Sequence, residues 1–441
     1  MESADATIEV GPSAARLTRS LRDIGYDFVT ALADIVDNSI SANATKIDID
    51  ICFAGAESSV TVADDGDGMT GAELTEALRF GSRRKYSAGD LGKFGLGLKT
   101  ASLSQCRKLT VASRKSRSYK RIEARVLDLG WIEAHDRWAI EVVPASEQGK
   151  LPKICVDALR THSGTVVCWS GLDRVLAYDD AEGAWARRRV EQMTQEAREF
   201  LSLVFHRFLA MEVPDSRLSK ISLNGEVLQP WDPFARSERE TIRETGLVRS
   251  RLLSVDVGGV TGKVKFVPYV LPPRSAFSDR ESFERLGGPL RWNRQQGLYI
   301  YRGSRLIQFG GWCGLRTIDE HTKLARAALD FEPALDELFQ INVAKMKVSL
   351  PQLVRDFLTV PINQLCVTAD HVYRDSRDDD VEEQTIHVKS RMHDGHKIGM
   401  VLDSVALQIN EAEVWRKILS ELSVTSPDIA ETLKWRPDSE E

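Results

Sequence analysis

Apolar positions recur at helical spacing over residues 13–42, with Ala31, Leu32, Ile35 and Val36 on one face. The pattern predicts an amphipathic helical segment there. The period then changes. Residues 47–53 read Ile-Asp-Ile-Asp-Ile-Cys-Phe, the alternation of a half-buried strand. The apolar run from Val60 to Ala63 predicts a second strand, which ends in Asp64-Asp65-Gly66-Asp67-Gly68-Met69. Residues 71–80 predict a short helix, and 81–90 are polar. Residues 91–101 are glycine-rich and run into a helix. Strands are expected at Lys108–Ser113, Arg121–Leu127 and Trp138–Val143, and another after the turn at His162-Ser163-Gly164-Thr165.

Beyond a boundary expected near 175, residues 181–211 predict an amphipathic helix. Its Arg187, Arg188 and Arg189 are read as a solvated face in preference to a phosphate-binding patch. Asn224-Gly225 between alternating residues is a hairpin signal. Strands are expected over 252–271 and 297–309, with a loop over 272–290 between them. Residues 317–340 carry a helical pattern, 341–350 a strand or loop. The polar remainder is mostly helical, with the acid-rich Asp375–Glu383 as an exposed connection.

At 441 residues the chain is too long for one ordinary core. We divide it into 1–175, 176–360 and 361–441. The composition, 42% hydrophobic and 28% charged, supports sizeable cores. A net charge of -6 excludes a wholly basic nucleic-acid binder and leaves a local basic face open. Six widely spaced cysteines without a Cys-x-x-Cys pair point to reduced, buried thiols. The N-terminus lacks a basic, then apolar, leader pattern, and no long apolar run occurs, so a soluble cytoplasmic protein is expected. His393 and His396, with His387 nearby, are read as exposed histidines and not as a metal site.

Candidate chemistry lies in four places. Asp34 and Asn38 are four residues apart and share one helical face, with Asp37 roughly 100° away. A carboxylate orients or deprotonates water, and an amide oxygen is a neutral hard ligand for Mg²⁺. A buried polar pair is the plainer alternative. Asp64 stands at the mouth of a turn in which Gly66 and Gly68 permit close approach; its carboxylate suits an exocyclic amine, or only closes an acidic turn. Gly92-x-x-Gly95-x-Gly97 leaves backbone N–H groups to face anions ahead of a helix. It is not a Walker A loop, since Leu98 separates Gly97 from Lys99-Thr100, and its spacing is the reverse of the dinucleotide fingerprint. Thr165 heads a strand, placed to bond a base or a bridging water. Farther on, Arg302 and Arg305 lie beside Tyr299 and Tyr301. They suit either a nucleic-acid backbone or local carboxylates.

The order of these pieces, Asp34-x-x-x-Asn38, Asp64-x-Gly66-x-Gly68, Gly92-x-x-Gly95-x-Gly97 and Gly164-Thr165, resembles the four boxes of the GHKL ATPases. That superfamily includes gyrase B, heat-shock chaperones, histidine kinases and MutL, with MORC proteins close by. Gly95-Leu-Gly-Leu-Lys-Thr-Ala-Ser102 is similar to the MORC-type lid. The resemblance covers about residues 16–170. It implies an α/β fold: a GHKL (Bergerat-type) α/β sandwich whose mixed sheet is covered by helices on one face. An S5-like α/β transducer domain and a helical C-terminal tail would follow.

By that resemblance, Asp64 would bond the adenine amino group, helped by a water on Thr165, and Asn38 would hold Mg²⁺. Gly66, Gly68 and Met69 would border the nucleotide. Gly92, Lys93, Phe94, Gly95, Leu96 and Gly97 would form a mobile lid, with Lys99 close to the phosphates. Asp34 stands where the family places its catalytic glutamate. Asp is a methylene shorter, and a misplacement of about 1 Å costs on the order of a hundredfold in rate, so either the backbone moves closer, turnover is slow, or the protein mainly binds ATP. Asp65 and Asp67 receive no chemistry, and neither does Ser41. The segment 221–234 is similar to the start of the MutL and MORC transducer. Residues 341–347 resemble its lysine loop, with Lys345, or alternatively Lys347, meeting the terminal phosphate.

The resemblance implies Mg²⁺-dependent ATP binding and hydrolysis that close the lid and promote N-terminal dimerisation. DNA or a DNA-processing complex would be the partner, and a role in bacterial defence follows by analogy alone. The alternatives are a nucleotide-gated clamp with little hydrolysis, a histidine kinase or a chaperone. No helical segment is expected upstream of the boxes to carry a phosphoacceptor histidine, and the Lys345 loop would suit a transducer; both disfavour the kinase.

Overall fold

The computed structural model describes residues 11–23, 26–81, 97–116, 121–176, 180–244, 246, 248–341 and 348–382. Near the C-terminus it describes 402, 405, 406, 411–426 and 430. The chain divides into two compact units. Unit 1 holds Met1–Asp232, Arg302–Ile307 and Gln340–Val348; unit 2 holds the rest.

The helical pattern over 13–42 resolves into two helices, α1 (Ala14–Arg22) and α2 (Phe28–Ser41). Each starts at its own cap. Ser13 accepts from the Arg16 N–H and Asp27 from the Thr30 N–H, which satisfies donors that a helix start leaves open. Then come β1 (Lys46–Cys52), β2 (Ser59–Asp64), α3 (Gly71–Ala77), α4 (Gly97–Gln105), β3 (Lys108–Arg114), β4 (Glu123–Asp128), α5 (Leu129–His135), β5 (Glu141–Val143), α6 (Lys153–Leu159) and β6 (Gly164–Ser170). Helices α7 (Ala184–Val204) and α8 (His206–Leu209) precede a hairpin, β7 (Lys220–Leu223) and β8 (Glu226–Val227).

These eight strands form one sheet in the order β5-β4-β3-β6-β2-β1-β7-β8. The pairing of β1 with β7 is parallel; its neighbours β1–β2, β2–β6, β6–β3 and β3–β4 are antiparallel. The alternation in β1 is borne out, since Ile47, Ile49 and Ile51 are buried and Asp48 and Asp50 are not. One face packs Leu32 and Ile35 of α2, Leu103 of α4 and Leu201 of α7 against Ile47, Val62 and Trp169. The other face is also partly covered, contrary to the expectation. Cys155 and Leu159 of α6 pack on Ala112, Val126 and Val166.

The compact unit also runs past 175, to Asp232. The reason is the parallel ladder that joins Lys220–Leu223 to Lys46–Ile49 and adds two strands to the first sheet. At the tip, Asn224 (φ 49°) and Gly225 (φ 82°) both take the left-handed conformation of a tight hairpin turn. The Asn224 side chain then bonds Ile51 on β1, accepting from its N–H at 2.8 Å and donating to its carbonyl at 3.3 Å.

A second sheet has five strands in the order β12-β11-β13-β10-β9. Its strands are β9 (Arg251–Val257), β10 (Val260–Val270), β11 (Gly297–Arg302), β12 (Arg305–Phe309) and β13 (Ala325–Phe331). The short helices α9 (Arg280–Leu286) and α10 (Arg291–Gln295) lie between β10 and β11. Three expectations fail here. Residues 325–331 are a central strand and not a helix. Their Ala, Leu and Arg favour helices, but Ala325, Ala327, Ala328 and Leu329 are sealed between β11 and β10, and packing overrides weak propensity. The loop over 272–290 contains α9, capped by Asp279. Helix α11 (Gln352–Glu382) carries the acidic stretch through Glu382 as helix and not as connection. A further helix spans Ala412–Thr425.

The arginine run in α7 is a solvated, aromatic-stacked face. Arg187 lies over Phe53 and Arg188 over Trp185, while Arg189 pairs with Glu196. Among the described residues every cysteine is free, with Cys106, Cys155, Cys168 and Cys366 buried. No described helix is long and apolar enough to cross a membrane.

Asn224→Ala removes the side chain that ties the hairpin to β1 and leaves a left-handed backbone without its preferred residue. We expect a loss of about 1–2 kcal/mol, read as a lower urea midpoint with an unchanged slope.

Candidate active site

Strand β2 ends at Asp64, directly opposite Thr165 on β6. Three donors converge on its carboxylate. Ser39 Oγ of α2 donates to Oδ2 at 2.9 Å, and the N–H groups of Gly66 and Thr165 donate to Oδ1 at 3.0 and 3.1 Å. Burial nevertheless pushes its pKa up to about 6, with the neighbouring Asp65 charge adding to the rise and the three hydrogen bonds opposing it. A carboxylate so placed is oriented by the fold and keeps acceptor capacity for a further donor.

The turn after Asp64 threads between backbones. A Cβ on Gly66 would lie 2.6 Å from the Ala42 carbonyl oxygen, and one on Gly68 (φ +64°) 2.1 Å from that of Arg114. Only glycine fits either position. Asp67 and Asp65 are turn residues: Asp67 accepts from Asn43, and Asp65 accepts from the Thr45 and Lys46 N–H groups. Ser113 Oγ accepts from the Met69 N–H at 2.8 Å and donates to the Gly164 carbonyl. It also lies 3.0 Å from Thr165 Oγ1. Met69, Thr165 and Asp64 are thereby fixed to one another.

Helix α2 brings the second carboxylate. Asp34 is 2% exposed, and its Oδ2 accepts from the Tyr26 hydroxyl at 2.8 Å. Burial, and then the Asp34 charge, raise the Tyr26 pKa well above the usual phenol value, so Tyr26 stays a donor. The first residue of α4, Gly97, lies against this carboxylate, since a Cβ there would sit 3.5 Å from Asp34 Oδ2. Asn38 is exposed one turn further along α2.

Lys99 was expected close to the phosphates. Its ammonium donates to the carbonyls of Ala77 and Arg79 at 2.8 Å each, which closes the end of α3, and burial lowers its pKa to about 8. Of the two readings open for Arg305, the structure shows pairing with a carboxylate. It is buried, and its Nε donates to Asp37 at 3.0 Å. Arg302 is buried as well. Gly92, Lys93, Phe94, Gly95 and Leu96 lie outside the described residues, as do Lys345 and Lys347. His387, His393 and His396 do too, and no group of three metal-ligating side chains occurs among the described residues.

Residues 26–165 match the family model described as histidine kinase-, DNA gyrase B-, and HSP90-like ATPase. This stretch is thus similar to a GHKL-type ATPase domain. Over 87 residues it is 33% identical to the ATPase morc-1 of Caenorhabditis elegans, covering 20% of this chain and 10% of that protein. Over 122 residues it is 30% identical to the DNA mismatch repair protein MutL of Shewanella woodyi (strain ATCC 51908 / MS32), covering 26% of this chain and 19% of that one. The chain therefore spans a fifth or less of the length of these relatives.

Within residues 26–165, reading the sequence alone overlooks Tyr26, Ser39 and Ser113. Ser39 follows Asn38 directly, and a small hydroxyl beside the box residue was the available signal. Tyr26 lies across the break before α2 from Asp34, and no periodicity relates the two.

The raised pKa of Asp64 has a consequence for stability. Its folded-state value, about 6, exceeds the ordinary 3.8, so the folded protein holds this proton more tightly. The group therefore favours folding less as pH rises through 6. Asp64→Asn, which imitates the protonated acid, is expected to raise the thermal midpoint of the nucleotide-free protein at about pH 8. The gain should vanish towards about pH 4. Equal midpoints at the higher pH would sink this reading of the Asp64 environment.

Proposed function

We propose that the domain binds ATP at Asp64 and hydrolyses it slowly, with Asp34 as the residue that orients or deprotonates the attacking water. The observation that carries this reading is the Ser39–Asp64 hydrogen bond. It joins the helix bearing Asp34 and Asn38 to the strand end bearing Asp64, and Thr165 bonds the same carboxylate. Boxes far apart in sequence thus line one site. In this reading the adenine amine donates to Asp64, and Thr165, whose hydroxyl is placed by Ser113, holds a bridging water. Gly66, Gly68 and Met69 border the nucleotide, and Gly92, Lys93, Phe94, Gly95, Leu96 and Gly97 cover the phosphates.

The exposed Asn38 amide suits Mg²⁺, which accepts one or two protein oxygens and completes its shell with phosphates and waters. Bound there, the ion would neutralise phosphate charge. Lys345, with Lys347 as the alternate, would contribute a cation at the terminal phosphate.

The reading extends to ATP-dependent dimerisation and to DNA, or a DNA-processing complex, as partner. Support for DNA comes from charge. Residues 233–301 hold twelve Lys and Arg against seven Asp and Glu, in a chain of net charge -6, and Arg236, Arg239, Arg243 and Arg249 are exposed. Such a local excess of basic residues suits a phosphate backbone. A role in bacterial defence rests on analogy with the family. A second reading, a nucleotide-gated clamp with little turnover, is favoured by the short and deeply buried Asp34.

The deciding experiment measures ATP turnover with and without DNA, alongside oligomeric state with a non-hydrolysable analogue. Asp34→Asn should lower turnover by about a hundredfold or more and keep ATP affinity. Asn38→Ala should weaken Mg-ATP binding, and Asp64→Ala should weaken nucleotide binding by about 10- to 100-fold. Tight binding without wild-type turnover selects the clamp. Wild-type turnover in Asp34→Asn removes Asp34 as the base.

A further inference from the structure

Asp34 carries a short side chain for its proposed task, and the structure braces it on both oxygens. Oδ2 accepts from the Tyr26 hydroxyl at 2.8 Å. Oδ1 faces Arg305 Nη2 at 3.9 Å, an ion-pair separation, and both side chains are 2% exposed. Thr100 of α4 also hydrogen-bonds Tyr26, so the phenol is itself held in place.

Arg305 is held just as firmly. Its Nε lies 3.0 and 2.9 Å from the two oxygens of Asp37, and its Nη1 donates to the Leu306 carbonyl at 3.2 Å. The Phe205 ring lies 5.9 Å from the guanidinium carbon. Among the described residues Nη2 has no hydrogen-bond partner. Its donors face the Asp34 side of the group. A guanidinium presents its donors in one plane, so fixing Nε on Asp37 fixes where Nη2 points. Residues 302–307 belong to unit 1 with the helix they contact.

We infer that Tyr26 and Arg305 are positioning residues that set the plane of the Asp34 carboxylate for attack on ATP. The inference rests on Asp34 being the hydrolytic base. A lone aspartate rotates about its terminal torsion, which is broad. A hydrogen bond on Oδ2 and the Arg305 charge beside Oδ1 restrict that freedom. The two braces also divide the work, with Tyr26 supplying a neutral hydrogen bond and Arg305 a charge shared with Asp37. Placement matters in this way because an error of about 1 Å costs on the order of a hundredfold in rate. Neither side chain needs to touch the nucleotide, so their loss should appear in turnover and not in affinity.

The test compares kcat for ATP with the Kd for a non-hydrolysable analogue in wild type, Tyr26→Phe, Arg305→Lys, Arg305→Gln and Asp34→Asn. Tyr26→Phe, which keeps the ring, should lower kcat by about 10- to 100-fold and leave Kd within about twofold. Arg305→Lys keeps the charge and should retain more turnover than Arg305→Gln. Adding Tyr26→Phe to Asp34→Asn should cause no further loss. Circular dichroism and melting confirm folding, and if Arg305→Gln does not fold, Tyr26→Phe and Arg305→Lys decide. Wild-type kcat in both of those variants, with Asp34→Asn inactive, overturns the inference and leaves the base assignment standing. Equal losses in kcat and affinity also overturn it, since they mark a structural role. Undiminished turnover in Asp34→Asn removes the base assignment, and the inference with it.

Discussion

The candidate site depends on one half-buried carboxylate that joins three elements. Asp64 takes hydrogen bonds from α2, from its own turn and from β6. Each contact is ordinary. Together they fix the distance between a helix and two strands to within hydrogen-bond tolerance. The cost is visible in the pKa of about 6, because removing a carboxylate from water disfavours its charge more than these donors restore. A group held against its own solvation gains most when a further donor arrives. This is the condition expected of a binding position, in contrast to Asp65 and Asp67, whose acceptors are taken up by local turns.

Close backbone approach is the second constraint. The turn that carries Asp64 passes between Ala42 and Arg114 with no room for a side chain at Gly66 or Gly68. Ser113 sits at the centre and links Met69, Gly164 and Thr165 through one hydroxyl. The sheet beneath is buried on both faces in its middle, by α2, α4 and α7 on one side and α6 on the other.

The third constraint is electrostatic. Asp34 and Asp37 are buried within one turn of α2, and two adjacent carboxylates out of water repel strongly. Arg305 lies between them, nearer to Asp37, and Tyr26 stabilises Asp34 from the other side. A buried charge left without its partner is costly. That accounts for the burial of an arginine whose sequence context, beside aromatic residues, equally suited a nucleic-acid contact. Lys99 follows the same logic: its buried ammonium is placed on two carbonyl oxygens that the end of α3 leaves open.

Local rules determined much of this protein. Alternation fixed which face of β1 is buried, and Asn224-Gly225 fixed a hairpin, because side-chain period and left-handed backbone preference act within a few residues. The ordered boxes pointed to a GHKL domain, since spacing on a helix and glycine in a turn are local properties too. The tertiary structure decided what depends on distant partners. It made 325–331 a strand, because burial between two neighbours outweighs the helical preference of Ala and Leu. It carried unit 1 beyond 175, because β7 found β1 rather than a sheet of its own. It also placed Arg305 beside an aspartate 268 positions away. Such a pairing follows from the low dielectric of the interior, and no pattern along the chain encodes it.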